Sequence, residues 1–313
     1  MQFGAVFPGQ GSQSIGMLAD LADEFKIIKQ TFQEGSDTLS IDLWKLTTES
    51  EIELNKTENT QPVMLAAGVA VWRLWLEEGG CSPVGMAGHS LGEYSALVAS
   101  EALAYNDALK LVSTRAKLMQ QAVPEGTGAM AAILGLEDDT IINICNEISK
   151  DKAQVVEAVN FNSPGQVVIA GNVQAVDKAI EQLKEAGAKR AIKLPVSVPS
   201  HCSLMKEAAG QLNEVLNTIS FTTGKYPTLQ NRAARNEASI TEKKEALAEQ
   251  LYKPVKWVDT INNLEKNYSA DTIIEFGPGK ILFGLNRRIN RKLGNFSIYD
   301  TKSLYNALEL CQQ

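Results

Sequence analysis

The segment Gly88-His89-Ser90-Leu91-Gly92 constrains this chain more than any other, because it has the form G-x-S-x-G. Residues 83–87 before it are short and largely apolar, as in a buried strand, and residues 91–100 after it carry apolar side chains at helical spacing. Between a strand and a helix, the glycines allow a sharp turn that leaves the serine hydroxyl exposed at its tip. The pattern therefore predicts that Ser90 is a nucleophile at a helix N-terminus, where free N–H groups favour negative charge.

A serine nucleophile needs a base, and the chain contains only two histidines. His89 adjoins Ser90 in the turn, so we expect its side chain to point elsewhere. His201 lies where a predicted inserted unit returns to the main body of the chain. Because active sites often form in clefts between such units, we predict that His201 is the base.

The acid of a Ser-His-acid triad is not evident in this chain. Hydrolases of this type carry the acid between the serine and the histidine in sequence, at the end of a strand. The acidic residues in that interval lie mostly in predicted helices: Asp107, Asp138, Asp139 and Asp177. We therefore expect a Ser-His dyad whose imidazole is oriented by a carbonyl group.

A glycine-rich loop follows the predicted strand at residues 2–7. Its segment Gly9-Gln10-Gly11 allows close approach of the backbone, so the loop can supply one N–H group to an oxyanion hole, and Leu91 can supply the other. The same loop fails the dinucleotide pattern G-x-G-x-x-G because Ser14 occupies the last position, and no P-loop is present. We expect no nucleotide cofactor.

The order of elements predicts an α/β fold. Residues 129–134, 137–149, 154–160, 166–170, 173–186 and 189–196 form the series β-α-β-β-α-β, which is the ferredoxin-like split unit. Outside this series, residues 62–76 form a buried helix with Thr60 as its N-cap, residues 106–121, 204–216 and 243–251 form helices, and residues 272–276 form a strand. We predict a catalytic subdomain at 1–126 and 198–313 and an insert at 127–197.

Composition limits the classes of partner. The net charge of −7 argues against general nucleic-acid binding, and 44% hydrophobic with 21% charged residues is ordinary for a soluble protein. The apolar run at 62–76 is too short to cross a bilayer and contains Arg73. The four cysteines are far apart in sequence, which predicts neither a disulfide framework nor a zinc site and favours a reduced, cytoplasmic protein.

Arg115 lies at the edge of the apolar stripe of the helix at 106–121. An arginine that faced inward there could hold a carboxylate through two parallel hydrogen bonds. From the pattern alone, however, an arginine on a solvated helix flank is favoured about two to one.

Several motifs in order resemble the bacterial malonyl-CoA:acyl carrier protein transacylases of type II fatty-acid synthesis, over essentially the whole chain. The segments that carry the resemblance are residues 7–13, 88–94, 160–166, 199–202, 250–252 and 277–279, together with Arg115. One departure is visible at 230–234, where the chain has Gln-Asn-Arg-Ala-Ala and the family often has paired asparagines followed by Val-Asp.

The resemblance implies an α/β-hydrolase-like large subdomain that carries the ferredoxin-like insert. It also implies a role for each matching residue: Ser90 carries the malonyl group, His201 is the base, Gln250 orients the imidazole through a carbonyl, Gln10 and Leu91 form the oxyanion hole, Arg115 binds the malonyl carboxylate, and Asn160 and Asn162 line the cleft. The substrates would be malonyl-CoA and holo acyl carrier protein, with the phosphopantetheine on that partner. No cofactor, metal, nucleic acid or membrane is expected, and we expect a monomer.

Three other functions remain open. A trans-acting acyltransferase of a polyketide synthase would share every motif. A serine thioesterase or esterase would hydrolyse the thioester instead of transferring the acyl group. A non-catalytic module that binds a carrier protein would not need Ser90 and His201. A basic cluster for docking an acidic carrier protein is present at Arg287, Arg288, Arg291 and Lys292, and a second at Lys189 and Arg190.

Overall fold

The computed structural model describes residues 1–151, 153–196 and 198–311. The predicted limits of the two subdomains at residues 197 and 313 lie outside the described residues.

A parallel sheet forms the centre of the larger part of the molecule. Its strands, in spatial order, are β7 (Thr228–Leu229), β2 (Gly85–Gly88), β1 (Phe3–Phe7), β8 (Thr272–Phe276) and β9 (Gly294–Ile298). Every neighbouring pair is parallel, and β1 pairs with β2 from Gly4↔Gly85 to Phe7↔Gly88. The carboxyl ends of these strands therefore share one edge, and the loops that follow β1, β2 and β8 meet there.

Helices cover both faces of this sheet, since β1 and β8 are buried along their whole length. The helices of the described residues are α1 (Ala19–Glu24), α2 (Lys26–Leu39), α3 (Leu43–Leu46), α4 (Glu51–Leu54), α5 (Thr57–Glu77), α6 (Gly92–Ala99), α7 (Tyr105–Gln121), α8 (Asp138–Ile148), α9 (Val173–Glu185), α10 (Lys206–Thr218), α11 (Ile240–Glu249), α12 (Trp257–Tyr268), α13 (Ile281–Ile289) and α14 (Thr301–Cys311), with a 3₁₀ turn at Ser203–Met205.

The buried helix predicted at 62–76 is α5, which packs against α2, α6 and α7. The prediction that Thr60 caps it is wrong, because the helix begins at Thr57 with Lys56 as the N-cap residue. Thr60 lies inside the first turns, and its hydroxyl donates to the carbonyl oxygens of Leu54 and Lys56.

A second, antiparallel sheet stands apart from the first. Its strands, in spatial order, are β4 (Val156–Ser163), β5 (Gln166–Asn172), β3 (Gly128–Leu134) and β6 (Arg190–Lys193). With α8 and α9 on one face, the chain follows the predicted order β-α-β-β-α-β. The last strand is shorter than the predicted 189–196, since Pro195 has no N–H group to donate to a neighbouring strand.

The cysteines correct one expectation. Cys81, ahead of β2, and Cys311, at the end of α14, form a disulfide between residues 230 positions apart in sequence. Cys145 and Cys202 are free and buried. Spacing along the chain did not indicate the bond, because only the tertiary fold brings α14 beside the segment before β2.

Within the described residues, no helix is both long enough and apolar enough to cross a membrane.

The turn between β2 and α6 leaves no room for an added carbon at its second glycine. A Cβ on Gly92 would lie 2.0 Å from the carbonyl oxygen of Phe7 and 2.9 Å from that of Pro8, both in backbone that cannot move aside cheaply. We expect Gly92→Ala to lower the free energy of unfolding by more than about 3 kcal/mol, as severe overpacking does, which urea denaturation would measure.

Gly210 in α10 provides the matched control, since its Cβ would meet nothing within 4 Å. Gly210→Ala should stabilise the protein by about 0.5–1 kcal/mol through helix propensity. Equal stability of the two variants would contradict the close approach of α6 to β1.

Candidate active site

Ser90 stands at the tip of the turn between β2 and α6, at the carboxyl edge of the parallel sheet. Its backbone has a φ of 52°, a left-handed conformation that costs energy for a residue with a side chain. The neighbouring loop after β1 approaches closely, since a Cβ on Gly9 would lie 2.4 Å from the carbonyl oxygen of His89. The local sequence therefore folds as the G-x-S-x-G pattern predicts.

His201 lies against the serine. Its Nε2 is 2.8 Å from the Ser90 Oγ, and its Nδ1 is 2.6 Å from the backbone oxygen of Gln250. Because that carbonyl only accepts hydrogen bonds, Nδ1 carries the proton and Nε2 is free to accept one from Ser90. The partner of Nδ1 is a carbonyl, as expected from the missing triad acid.

The imidazole of His201 is held in its neutral form. Burial and, to a lesser degree, the nearby charge of Arg115 lower its pKa to about 3, although the bond to the Gln250 carbonyl raises it. The neutral ring is therefore the dominant form from pH 5 upward.

Gln10 and Leu91 come together beside Ser90, and both line the same cavity. The two backbone segments lie side by side, since a Cβ on Gly9 would be 3.7 Å from the Leu91 nitrogen. Leu91 is the N-cap residue of α6, so the helix dipole points its positive end toward this position.

Arg115 is buried, with 1% of its surface exposed, so the solvated flank favoured by the helical pattern is wrong. Nη1 donates to Gln61 Oε1 at 2.8 Å, and Nη2 donates to Gln250 Oε1 at 2.9 Å and to Ser90 Oγ at 3.3 Å. All these partners are neutral, and none of the ion pairs among the described residues includes Arg115. A buried cation next to Ser90 is thus available to bind a carboxylate.

Asn160 and Asn162 belong to β4 and line the cavity from the side of the antiparallel sheet. Asn162 Oδ1 lies 2.7 Å from His89 Nε2, and burial keeps His89 neutral by lowering its pKa. This bond links the turn after β2 to the antiparallel sheet, and the His89 ring also packs against Trp257 of α12. Its ring points away from Ser90 toward Asn162, as the sequence predicts.

The cavity has a volume of about 240 Å³. Its polar end contains Ser90, His201 and Arg115. Its walls are largely apolar and come from both parts of the chain: Met130, Val168, Leu194 and Val196 on one side and Leu282 and Leu285 of α13 on the other. Such a site suits a ligand with one charged end and an uncharged remainder.

Metal ligands are not gathered in this cavity. Across residues 1–151, 153–196 and 198–311, no group of three or more His, Cys, Asp or Glu side chains is placed to hold a metal ion.

Sequence reasoning missed the residue that holds the turn in place. Asn231 Oδ1 accepts the backbone N–H of Ser90 at 2.7 Å, and its Nδ2 donates to the Gly88 oxygen at 2.6 Å. Asn231 lies in the segment 230–234, where the chain departs from the family pattern, and no local signal marks it as a contact of Ser90.

Glu93 was also missed. It is fully buried, accepts the backbone N–H of Asn231 at 3.0 Å and Gln250 Nε2 at 2.7 Å, and burial raises its pKa to about 7. The sequence hints at it through its position one residue after the G-x-S-x-G pattern and through the segment 88–94, which carries the family resemblance.

The low pKa of His201 has a kinetic consequence. We expect the rate at which a neutral fluorophosphonate labels Ser90 to stay nearly constant from pH 8 to pH 5, since His201 stays unprotonated over that range. An ordinary histidine base would lose half its activity at a pH of about 6.5. Mass spectrometry of the adduct gives the rate.

Protein held at pH 5 and returned to pH 8 before labelling controls for unfolding. A loss of rate with a midpoint near 6.5 that this control does not show would contradict the buried, neutral imidazole.

Known proteins similar to this chain are acyltransferases, which is consistent with the serine, histidine and arginine of the site. The acyl transferase domain family matches residues 5–285. The chain is 52% identical over 310 residues to the malonyl CoA-acyl carrier protein transacylase of Haemophilus influenzae, and 49% identical over 310 residues to that of Escherichia coli K12, covering at least 98% of each protein in both cases.

Two solved structures are similar over nearly their whole length. One is a malonyl-transacylase in complex with the holo acyl-carrier protein of a type II polyketide synthase, with a TM-score of 0.97, 51% identity, and 99% of this chain and 100% of that chain covered. The other is an acyl carrier protein S-malonyltransferase from Vibrio cholerae, with a TM-score of 0.94, 49% identity, and 98% and 99% covered. The chain therefore belongs to the acyl transferase family, and within it to the malonyl CoA-acyl carrier protein transacylases.

Proposed function

We propose that this acyltransferase moves the malonyl group from malonyl-CoA to the phosphopantetheine thiol of holo acyl carrier protein, by way of a malonyl ester on Ser90. The observation that carries the proposal is the buried guanidinium of Arg115, which lies 3.3 Å from the Ser90 Oγ and has neutral partners. The free carboxylate of a malonyl group can form an ion pair with this guanidinium, whereas an acetyl group has no carboxylate.

In the first half-reaction, His201 Nε2 takes the hydroxyl proton as the Ser90 Oγ attacks the thioester carbonyl. The N–H groups of Gln10 and Leu91 hold the oxyanion, and the Gln250 carbonyl stabilises the protonated imidazole. The C–S bond then breaks, the sulfur takes the proton from His201, and coenzyme A leaves as the free thiol.

The second half-reaction runs the same steps in reverse. The thiol of the carrier protein enters the cleft, gives its proton to His201 and attacks the ester on Ser90. The ester bond breaks and Ser90 regains its proton. The acyl group is thus bound covalently to Ser90 between its transfer from the first thiol and its transfer to the second, which is a ping-pong scheme.

Arg115 would bind the malonyl carboxylate throughout, with Asn160 and Asn162 lining the cleft. Charge-assisted bonds to a carboxylate are about twice as strong as neutral ones, and a guanidinium can make two in parallel. The chemistry needs no metal or cofactor, since the thioester is itself activated and the phosphopantetheine belongs to the partner.

We assign residues 1–126 and 198–313 to an α/β-hydrolase-like subdomain and 127–197 to a ferredoxin-like insert. The parallel order β7-β2-β1-β8-β9 and the antiparallel order β4-β5-β3-β6 support that division.

The carrier protein would dock at the mouth of the cleft. Arg287 and Arg288 are exposed on α13, whose first turns line the cavity, and Arg288 donates to Gln166 on the opposite wall. Lys189 and Arg190 beside β6 are the second basic group. We further propose a monomeric, cytoplasmic enzyme, although the Cys81–Cys311 disulfide removes the argument from cysteine spacing for that location.

A polyketide pathway is the second candidate, because one similar structure is a malonyl-transacylase bound to a polyketide carrier protein. The chemistry is identical, so only the choice of carrier protein separates the two. Rates of malonyl transfer, measured side by side with a fatty-acid carrier protein and a polyketide carrier protein, distinguish the two pathways.

The direct test is transfer of malonyl from malonyl-CoA to holo carrier protein, followed by mass spectrometry of both proteins. We expect a malonyl adduct on the wild-type enzyme and none on Ser90→Ala, with Ser220→Ala, an exposed serine, unchanged. An adduct that persists in Ser90→Ala overturns the assignment. Hydrolysis of malonyl-CoA as fast as transfer would favour a thioesterase instead.

Arg115→Ala tests the basis of selectivity. We expect the preference for malonyl-CoA over acetyl-CoA in kcat/KM to fall by about tenfold to one-hundredfold, as loss of a charge-assisted bond of about 1.5–3 kcal/mol implies. Arg73→Ala, which removes a partly exposed arginine paired with Glu34 on α2, should leave the ratio unchanged. Unchanged selectivity in Arg115→Ala would return this arginine to a structural role.

A further inference from the structure

Glu93 is a buried carboxyl group that the mechanism above does not use. It occupies the first turn of α6 and has no exposed surface. Its Oε2 accepts the Asn231 backbone N–H and Gln250 Nε2, while its Oε1 has no hydrogen-bond partner among the described residues. Burying a carboxylate is costly, so a position that keeps one needs a compensating interaction.

The side-chain amide of Gln250 stands between Glu93 and Arg115. Its Nε2 donates to Glu93 Oε2 at 2.7 Å and to the Ser90 backbone oxygen at 3.0 Å, and its Oε1 accepts from Arg115 Nη2 at 2.9 Å. The opposite orientation of the amide would set NH₂ against the guanidinium and oxygen against two acceptors. The carboxylate of Glu93 therefore helps to fix the direction in which Gln250 presents its oxygen to Arg115.

This arrangement gives Arg115 a countercharge without an ion pair. In a direct salt bridge, a protein carboxylate would occupy the N–H groups that an incoming malonyl carboxylate needs. Burial raises the pKa of Glu93 to about 7, and the attraction to Arg115 lowers it against that effect. Glu93 is therefore mostly ionised at pH 8, where the two charges attract each other across the amide and where the variants below are assayed. The guanidinium keeps donors for a substrate, since its Nε has no hydrogen-bond partner among the described residues and its Nη atoms bond only neutral groups.

We propose that Glu93 is a positioning residue for malonyl selectivity: acting through the Gln250 amide, it holds the Arg115 guanidinium over Ser90 and balances its buried charge while leaving its donors to the substrate. This inference rests on the proposed function, since it takes the malonyl carboxylate to be the ligand of Arg115.

Glu93→Gln tests the proposal, because it keeps the shape and one acceptor oxygen but removes the charge. We expect kcat/KM for malonyl-CoA to fall about tenfold, mainly through KM, while kcat/KM for acetyl-CoA changes less than about twofold. Active enzyme is counted by labelling Ser90, so partial unfolding does not enter the ratio.

Glu275→Gln is the matched control. Glu275 is also fully buried and accepts two backbone N–H groups, those of Leu282 and Phe283, but it has no link to Gln250 or Arg115. Both variants should lose stability in urea, and only Glu93→Gln should lose malonyl selectivity. An equal loss for malonyl and acetyl substrates in Glu93→Gln would mean a purely structural role and overturn the proposal.

A double-mutant cycle tests the route through Gln250. Gln250→Met keeps the backbone carbonyl for His201 and removes the amide, so it should lower the malonyl preference as well. The malonyl preference of the double variant Glu93→Gln/Gln250→Met should be no lower than that of the less selective single variant. The reason is that both changes break the same chain of contacts to Arg115. Fully additive losses would show that Glu93 does not act through Gln250.

Glu93→Asp serves if Glu93→Gln does not fold. The shorter side chain keeps the charge but withdraws it from Gln250 Nε2, so selectivity should again fall, and wild-type selectivity would overturn the proposal. If the wild-type enzyme does not transfer malonyl or shows no preference for it, the proposed function itself fails. If Arg115→Ala keeps the preference, Arg115 is structural and the role of Glu93 fails with it. If Arg115→Ala loses the preference and the Glu93 variants keep it, only the role of Glu93 fails.

Discussion

The left-handed turn at Ser90 is the constraint on which the rest of the site depends. A serine at a φ of 52° is strained, and it persists only because its surroundings leave the backbone no alternative. Gly92 gives α6 contact with the end of β1, and Asn231 bonds the N–H of Ser90 and the carbonyl of Gly88 on either side of the turn. These contacts offset the free-energy cost of the left-handed conformation and direct the Ser90 hydroxyl into the cleft.

Gln250 is the point where the parts of the site meet. Its backbone oxygen fixes the tautomer of His201, and its side-chain amide contacts Arg115, Glu93 and the backbone of Ser90. One residue at the end of α11 thus positions the base and the cation together. Because both depend on it, small movements of α11 would change reactivity and selectivity at the same time.

The cleft combines a buried charge with apolar walls. Water is largely excluded from Arg115, so its interaction with a carboxylate is stronger than it would be at the surface. Burial disfavours the protonated form of His201, so the free imidazole is neutral and available as an acceptor, but it is also a weaker base. The Gln250 carbonyl opposes that effect by accepting the Nδ1 hydrogen bond, which strengthens when the ring is protonated.

Local pattern and the scarcity of histidines were enough to predict the turn at Ser90, the choice of His201 as its partner, the order of elements in the antiparallel unit, and the strands β1, β2 and β8 of the parallel sheet. They did not predict the short edge strand β7 or the edge strand β9. Pattern alone misplaced Arg115 on a solvated flank, assigned the N-cap of α5 to Thr60 and kept Cys81 and Cys311 apart, and it gave no role to Asn231 or Glu93. Each of these depends on contacts between segments distant in the chain: α7 against α5 and the end of α11, α14 against the segment before β2, and residues 230–234 against the turn. They follow from the packing of those segments, since burial and hydrogen-bond partners arise only then, and helical periodicity carries no information on which element covers a given helix flank.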